Sequence, residues 1–194
     1  MIELPASRKR ALAVVPLAMA TVVAFLPVVG NGFLEYDDDE YVTLNPHVRS
    51  GLTAQGIRWA FTSFRGGTWQ PLPWLAYTLV WQLFGLQPAG FHLTNLLLHL
   101  ACVIALFFSL DRMTGATGRS AFVAALFAVH PLHVQPVAWI ASLKDVLSTY
   151  LGRTAGRGGG PLPGGARGED AAAALTTRMP VYSTSPAAFA ATTL

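Results

Sequence analysis

Residues 11–34 carry no Asp, Glu, Lys or Arg. At about 1.5 Å of rise per residue, a run of that length crosses the hydrocarbon core of a bilayer as one helix. Lipid offers backbone groups no partners, so a segment held there has to satisfy its own hydrogen bonds, and helix is the form open to it. Arg8, Lys9 and Arg10 stand immediately before the run, and the acidic stretch 35–40 follows it. The excess of positive charge on the first flank places the N-terminus in the cytoplasm and the acidic stretch outside. A cleaved leader is the competing reading, because Ala18-Met19-Ala20 resembles a cleavage site. The full run is longer than the apolar core of a usual signal peptide, which favours a membrane anchor.

Composition points the same way. The chain is 53% hydrophobic and 12% charged, with a mean hydropathy of +0.45, whereas soluble domains carry about 25% charged residues. These values argue against a disordered chain, a nucleic-acid binder and a conventional water-soluble enzyme. Cys102 is the single cysteine, so no intramolecular disulfide forms, and no Cys/His spacing points to zinc.

A second charge-free stretch covers residues 66–110. Its second half, 91–110, is a full span. Its first half, 69–84, is short, contains Pro71 and Pro73, and is crowded with Trp69, Trp74, Tyr77 and Trp81. Were both halves to cross, Arg112 and Arg119 would lie outside, against the charge rule. The reading is therefore one span, 91–110, preceded by a helix on the outer surface with its aromatic rings at the headgroup level. Ile57, Ala60, Phe61 and Phe64 recur at helical spacing with Arg58 turned away, which predicts another interfacial helix in the outer loop 31–90. A third run, 120–143, returns the chain to the outside and is broken by His130-Pro131 and by Pro136. Such breaks are tolerated where the freed backbone lines a cavity. Residues 146–151 resemble the start of a fourth span.

From about residue 151 the composition changes to Gly, Ala, Pro and Arg, as in Gly156-Arg157-Gly158-Gly159-Gly160. The chain thus divides into a membrane region, 1–150, and a low-complexity tail, 151–194. The tail reads either as a flexible extension or as the out-of-frame translation of a GC-rich gene, and the latter is the expectation adopted.

The residues able to do chemistry sit at the edges of these runs. Carboxylates as close as Glu35, Asp37, Asp38, Asp39 and Glu40 cannot all ionise freely, so at least one acid constant should rise. A raised carboxylate beside a membrane cavity is a candidate general base, and a solvated acidic loop is the alternative. His92, Asn95 and His99 share one face of the second span, where polar side chains are costly and face protein or water. His130 and His133 lie at the break in the third run. For all of these, helix–helix hydrogen bonding competes with a functional role. Lys144 and Asp145 follow as a charged pair, readable as an interfacial ion pair. Asp37 and Asp39 form an Asp-x-Asp pair of the kind that holds a divalent ion, but no metal is assigned.

The segment Tyr36-Asp37-Asp38-Asp39-Glu40-Tyr41-Val42-Thr43-Leu44-Asn45-Pro46 resembles the first-loop signature of bacterial membrane glycosyltransferases that carry tetratricopeptide repeats. That group is similar to the protein O-mannosyltransferases. The resemblance continues through Gly51-Leu52-Thr53, Trp59-Ala60-Phe61-Thr62, Gln82-Leu83-Phe84-Gly85-Leu86 and the stretch from Gly90-Phe91-His92 to His99. It extends over His130-Pro131-Leu132-His133-Val134, Val137-Ala138-Trp139 and Lys144-Asp145-Val146-Leu147-Ser148. No repeat is present in this chain. The sequence departs from the family pattern at Gln70 (usually His), Gln135 (usually Glu) and Ser142-Leu143 (usually Glu-Arg).

The resemblance implies an all-α, multi-pass membrane protein with the polytopic fold of that glycosyltransferase class (type C), of which this chain is an N-terminal part inactive alone. It implies transfer of mannose or a similar sugar from a polyprenyl phosphate to Ser/Thr hydroxyls of proteins at the outer face of the plasma (inner) membrane. Asp37 corresponds to the catalytic base and Asp38 to its partner. His92, Asn95, His130, His133, Lys144 and Asp145 are the candidates for binding donor phosphate or substrate. The lipid-linked sugar is a co-substrate and no cofactor is expected. The partners are this donor, a protein acceptor and the bilayer, without nucleic acid. A transporter fragment and a non-catalytic membrane interaction module are the alternatives.

Overall fold

The first apolar run folds as helix α1 (Ala6–Phe25) and tightens into a 3-10 turn, Leu26–Gly30. Pro27 brings the change of helix type, since it has no N–H to continue the α ladder. The computed structural model describes residues 5–35 and 37–155. The stretch 156–194 lies outside the described residues, and with it the reading of a flexible or out-of-frame tail. All regular structure among the described residues is helical. Ser7–Gly30 and α5 (Pro88–Thr114) are each long and apolar enough to cross a membrane, so the protein is an all-α membrane protein.

The two long helices run antiparallel. Arg10, near the start of α1, pairs with Asp111, near the end of α5, at 2.8 Å. The other oxygen of Asp111 accepts the Thr117 hydroxyl at 2.7 Å, which ties in the start of α6 (Thr117–Ala128). Gly115 makes the reversal between α5 and α6. It sits at φ 63°, a conformation that a side chain disfavours, and its N–H bonds the Asp111 carbonyl. Leu17, Val103, Phe107, Ala124 and Ala128 fill the space between the three helices.

With 12 residues, α6 is too short to cross alone. It ends at Ala128, and after a break the chain resumes as a 3-10 turn, Pro131–His133, and α7 (Val134–Ala138), bent by 53° from α6. The third expected run is therefore a bent pair, broken at the expected His130-Pro131. Its cause is Pro131, together with the His130 ring, whose Nδ1 accepts the Leu132 N–H at 3.2 Å. A further helix, α8 (Leu143–Ala155), runs beyond residue 150. It lies along α5, with the Cys102 thiol 3.7 Å from the Val146 carbonyl.

The segment between α1 and α5 holds α2 (Pro46–Arg49), α3 (Ala54–Thr62) and α4 (Pro71–Phe84). Asn45 caps α2 through the His47 and Val48 amides, and Thr53 caps α3 through Gly56. The short helix expected over 69–84 is present as α4, and the aromatic residues of that stretch are placed differently from the expectation. Trp74 and Tyr77 are fully buried, in one cluster with Tyr41, Val48, Phe91, Ile140 and Leu143. Trp69 alone of the four is largely exposed. The segment between α1 and α5 thus hides its apolar side chains in a core shared with Phe91 of α5 and with Ile140 and Leu143. In α3, Ala60 joins that core while Ile57 and Phe61 stay exposed. The elbow between α4 and α5 requires Gly90, where a Cβ would overlap the Phe84 ring.

Candidate functional site

Residues 37–43 form a short helical segment after the first span, and their carboxylates have different surroundings. Asp38 is fully buried. One oxygen accepts the Leu34 N–H and the other accepts the Ala141 N–H, both at 2.9 Å. Burial pushes its acid constant above the ordinary 3.8, against the pull of the two amides and of His92, while neighbouring Asp37 adds to the rise. Asp37 is half-buried, and no hydrogen bond or ion pair engages it among the described residues. Asp39 bonds the Thr43 hydroxyl within the turn, and Glu40 faces Arg65 at 3.9 Å.

His92 and Asn95 lie one turn apart near the start of α5, and both reach backbone carbonyls. The His92 Nε2 is 3.4 Å from the Gly32 carbonyl, so this nitrogen carries the proton. Asn95 Nδ2 donates to the Trp139 carbonyl at 3.0 Å. Gly32 and Trp139 belong to the two chain segments that line a cleft of about 490 Å³. Residues 31–34 form one wall, and Gln135, Ala138 and Trp139 form the other. Helix α5 thus carries both walls, and Asp38 joins one to the segment that continues the other.

Lys144 and Tyr41 form a second group. The Lys144 ammonium donates to the Tyr41 hydroxyl at 2.9 Å, and the Gln70 amide reaches the same oxygen at 3.3 Å. Stacking on Trp74, with centroids 5.1 Å apart, fixes the Tyr41 ring. Asp145 stands beside Lys144. Desolvation raises its acid constant, opposed by the Lys144 charge and the Ser142 hydroxyl.

His130 and His133 line neither wall of the cleft. They remain at the break between α6 and α7, where His133 packs against the rings of Phe127 (4.2 Å) and His99 (5.3 Å). His99 itself bonds the Ala128 carbonyl at 3.1 Å, closing the end of α6. Among the described residues no three His, Cys, Asp or Glu side chains gather as metal ligands. Tyr41, Gln70 and Trp139 belong to the site without having been marked by sequence reasoning. Tyr41 closes the acidic stretch, and Gln70 occupies a position where the family pattern differs. Those were the available signals.

Asp37 thus stands next in the chain to the buried Asp38, whose carboxylate ties Leu34, a lining residue of the cleft, to Ala141. Protein O-mannosyl-transferase TMTC1 of Homo sapiens is 32% identical over 162 residues, covering 75% of this chain and 18% of the relative. The TMTC1 enzyme of Mus musculus is 34% identical over 132 residues, covering 62% of the chain and 14% of the relative. Protein O-mannosyl-transferase Tmtc2 of Drosophila melanogaster is 35% identical over 147 residues, covering 66% and 15%. The chain thus spans less than a fifth of the length of these relatives. No family model matches the chain, and no solved structure does. By sequence, the chain is a relative of the protein O-mannosyl-transferases.

Proposed function

We propose that this chain supplies the outer-face site of a membrane glycosyltransferase that moves mannose or a similar sugar from a polyprenyl phosphate to a Ser/Thr hydroxyl of a protein. The membrane is the plasma (inner) membrane, with the N-terminus in the cytoplasm and the loop 31–90 outside. Asp37 is the general base. Its carboxylate takes the hydroxyl proton as the oxygen bonds the anomeric carbon from the face opposite the carrier. The bond from that carbon to the phosphate oxygen breaks, and the phosphate leaves with the electron pair. A hydroxyl is a weak nucleophile until its proton has somewhere to go, which is the task of a positioned carboxylate. The leaving phosphate needs a cation more than an acid, and the Lys144 ammonium is the group suited to it. Asp145 stands beside Lys144 as a further candidate for substrate contact.

One observation carries the assignment of the base: Asp38 is committed to two backbone amides, while Asp37 is partly open and engaged by neither wall. His92 and Asn95 serve by holding the cleft walls. The test grafts residues 5–155 in place of the matching segment of the human relative and measures mannose transfer from a polyprenyl-phosphate donor to a Ser/Thr peptide. Asp37→Asn should leave membrane insertion intact and lower kcat by about 10²–10⁴-fold, the usual contribution of a positioned base. Unchanged kcat in that variant would refute the assignment.

A further inference from the structure

Two walls suspended from one helix keep a fixed spacing only if something joins them directly. His92 holds the first wall through Gly32, and Asn95 holds the second through Trp139. Neither side chain touches both. Asp38 does: its two oxygens bond Leu34, in the first wall, and Ala141, two residues beyond Trp139, each at 2.9 Å. We propose that Asp38 is the positioning residue of this site, a clasp whose carboxylate joins the two cleft walls and thereby sets the width of the cleft and the place of Asp37. The proposal rests on reading this cleft and Asp37 as the transfer site. Chemically, Asp38 is suited to the task and unsuited to being a second base. A carboxylate accepts at both oxygens, and each of its lone-pair directions toward the walls already receives an N–H. Protonation turns one oxygen into a hydroxyl, which is a poorer acceptor and carries a hydrogen of its own, so one side of the clasp weakens. Asparagine has the same defect permanently, since its NH₂ faces a backbone N–H.

The clasp predicts a cleft that opens on acidification. The titratable groups facing Asp38 are Asp37 on its own loop, His92 on α5 and Tyr77 on α4. The experiment reads cleft width without using activity. Ala138, a half-buried residue of the second wall, is changed to Cys in a Cys102→Ala background. Its labelling rate by a membrane-impermeant maleimide is divided at each pH by that of Phe64→Cys, an exposed reference position. Asp38→Asn should raise the ratio by about tenfold at neutral pH, corresponding to ~1.4 kcal/mol. Acid should raise it toward the same value in the protein that keeps Asp38, and in His92→Gln, but not in Asp38→Asn. Asp37→Asn should leave it unchanged. Should Asp38→Asn fail to insert, the acid response of the protein that keeps Asp38 decides. A ratio independent of both Asp38→Asn and acid overturns the clasp, as does an acid response that survives in Asp38→Asn. Failure of the transfer reading has a different sign, retained kcat in Asp37→Asn with the labelling ratios as predicted.

Discussion

Asp37 and Asp38 are adjacent and chemically identical, yet their surroundings assign them opposite tasks. The open carboxylate can meet a hydroxyl, whereas the buried one is occupied by amides. Removing the second should therefore damage the fold first. Asp38→Ala leaves the buried Ala141 amide without its acceptor, at about 1–3 kcal/mol, and returns the amide of the exposed Leu34 to water. A thermal melt in detergent should show a clear loss for Asp38→Ala and none for Asp37→Asn. The pH dependence follows from the same burial. With its acid constant raised above 3.8, Asp38 holds a proton in the folded state at pH values where the unfolded chain has released it. Its contribution to stability is therefore largest below pH 3.8, declines as pH rises through the raised value, and is constant above it. Melts across that window should lose this slope in Asp38→Asn. The sequence marks both carboxylates as a pair but cannot separate them. What separates them is a bond to Ala141, 103 positions away, and no local pattern encodes a contact at that distance. His92 and Asn95 are a similar case, since their spacing places them on one face without revealing that both reach backbone.

At the scale of elements, helical periodicity and the length of the apolar runs locate the long helices well. They fail on what each helix buries. Trp and Tyr in a short apolar helix suit a headgroup belt and a private core equally, because both environments take amphipathic rings. The structure resolves this: Trp74, in α4, has 0% of its surface exposed, and Trp69, two residues before α4, has 56%. Trp74→Ala should cost about 3–5 kcal/mol, the usual range for emptying a large aromatic site, and make the segment between α1 and α5 protease-sensitive. Trp69→Ala should leave its protease resistance near that of the parent. The break in the third run is legible from His130-Pro131, whereas Pro136 lies within α7 and does not break it, and the repair of the break is not legible. The end of α6 leaves carbonyls without helical partners, and the Ala128 carbonyl receives the His99 ring. His99→Leu keeps the apolar volume and deletes that bond. Interhelical hydrogen bonds in membranes contribute about 0.6–2 kcal/mol, so unfolding in mixed micelles should shift by that amount.

At the scale of the whole molecule, polarity is sorted by end. Arg10, Asp111 and Thr117 tie three helices together at one end. The cleft, Asp38 and the Tyr41–Lys144 pair gather where the first span emerges at the other. Under the proposed topology, the first end faces the cytoplasm and the second faces outward, toward a lipid-linked donor approaching along the membrane surface. The outward-facing site is the claim on which the proposed chemistry stands. The choice of reporter matters: Asn45 is buried as the cap of α2 and is unsuitable, whereas its neighbour Leu44 and the distal Met113 are 68% and 81% exposed. In a Cys102→Ala background, Leu44→Cys and Met113→Cys should be treated in intact cells with an impermeant maleimide. The account predicts that Leu44→Cys is modified at once and Met113→Cys only after the membrane is permeabilised. Modification of Met113→Cys in intact cells, with Leu44→Cys protected, would contradict it.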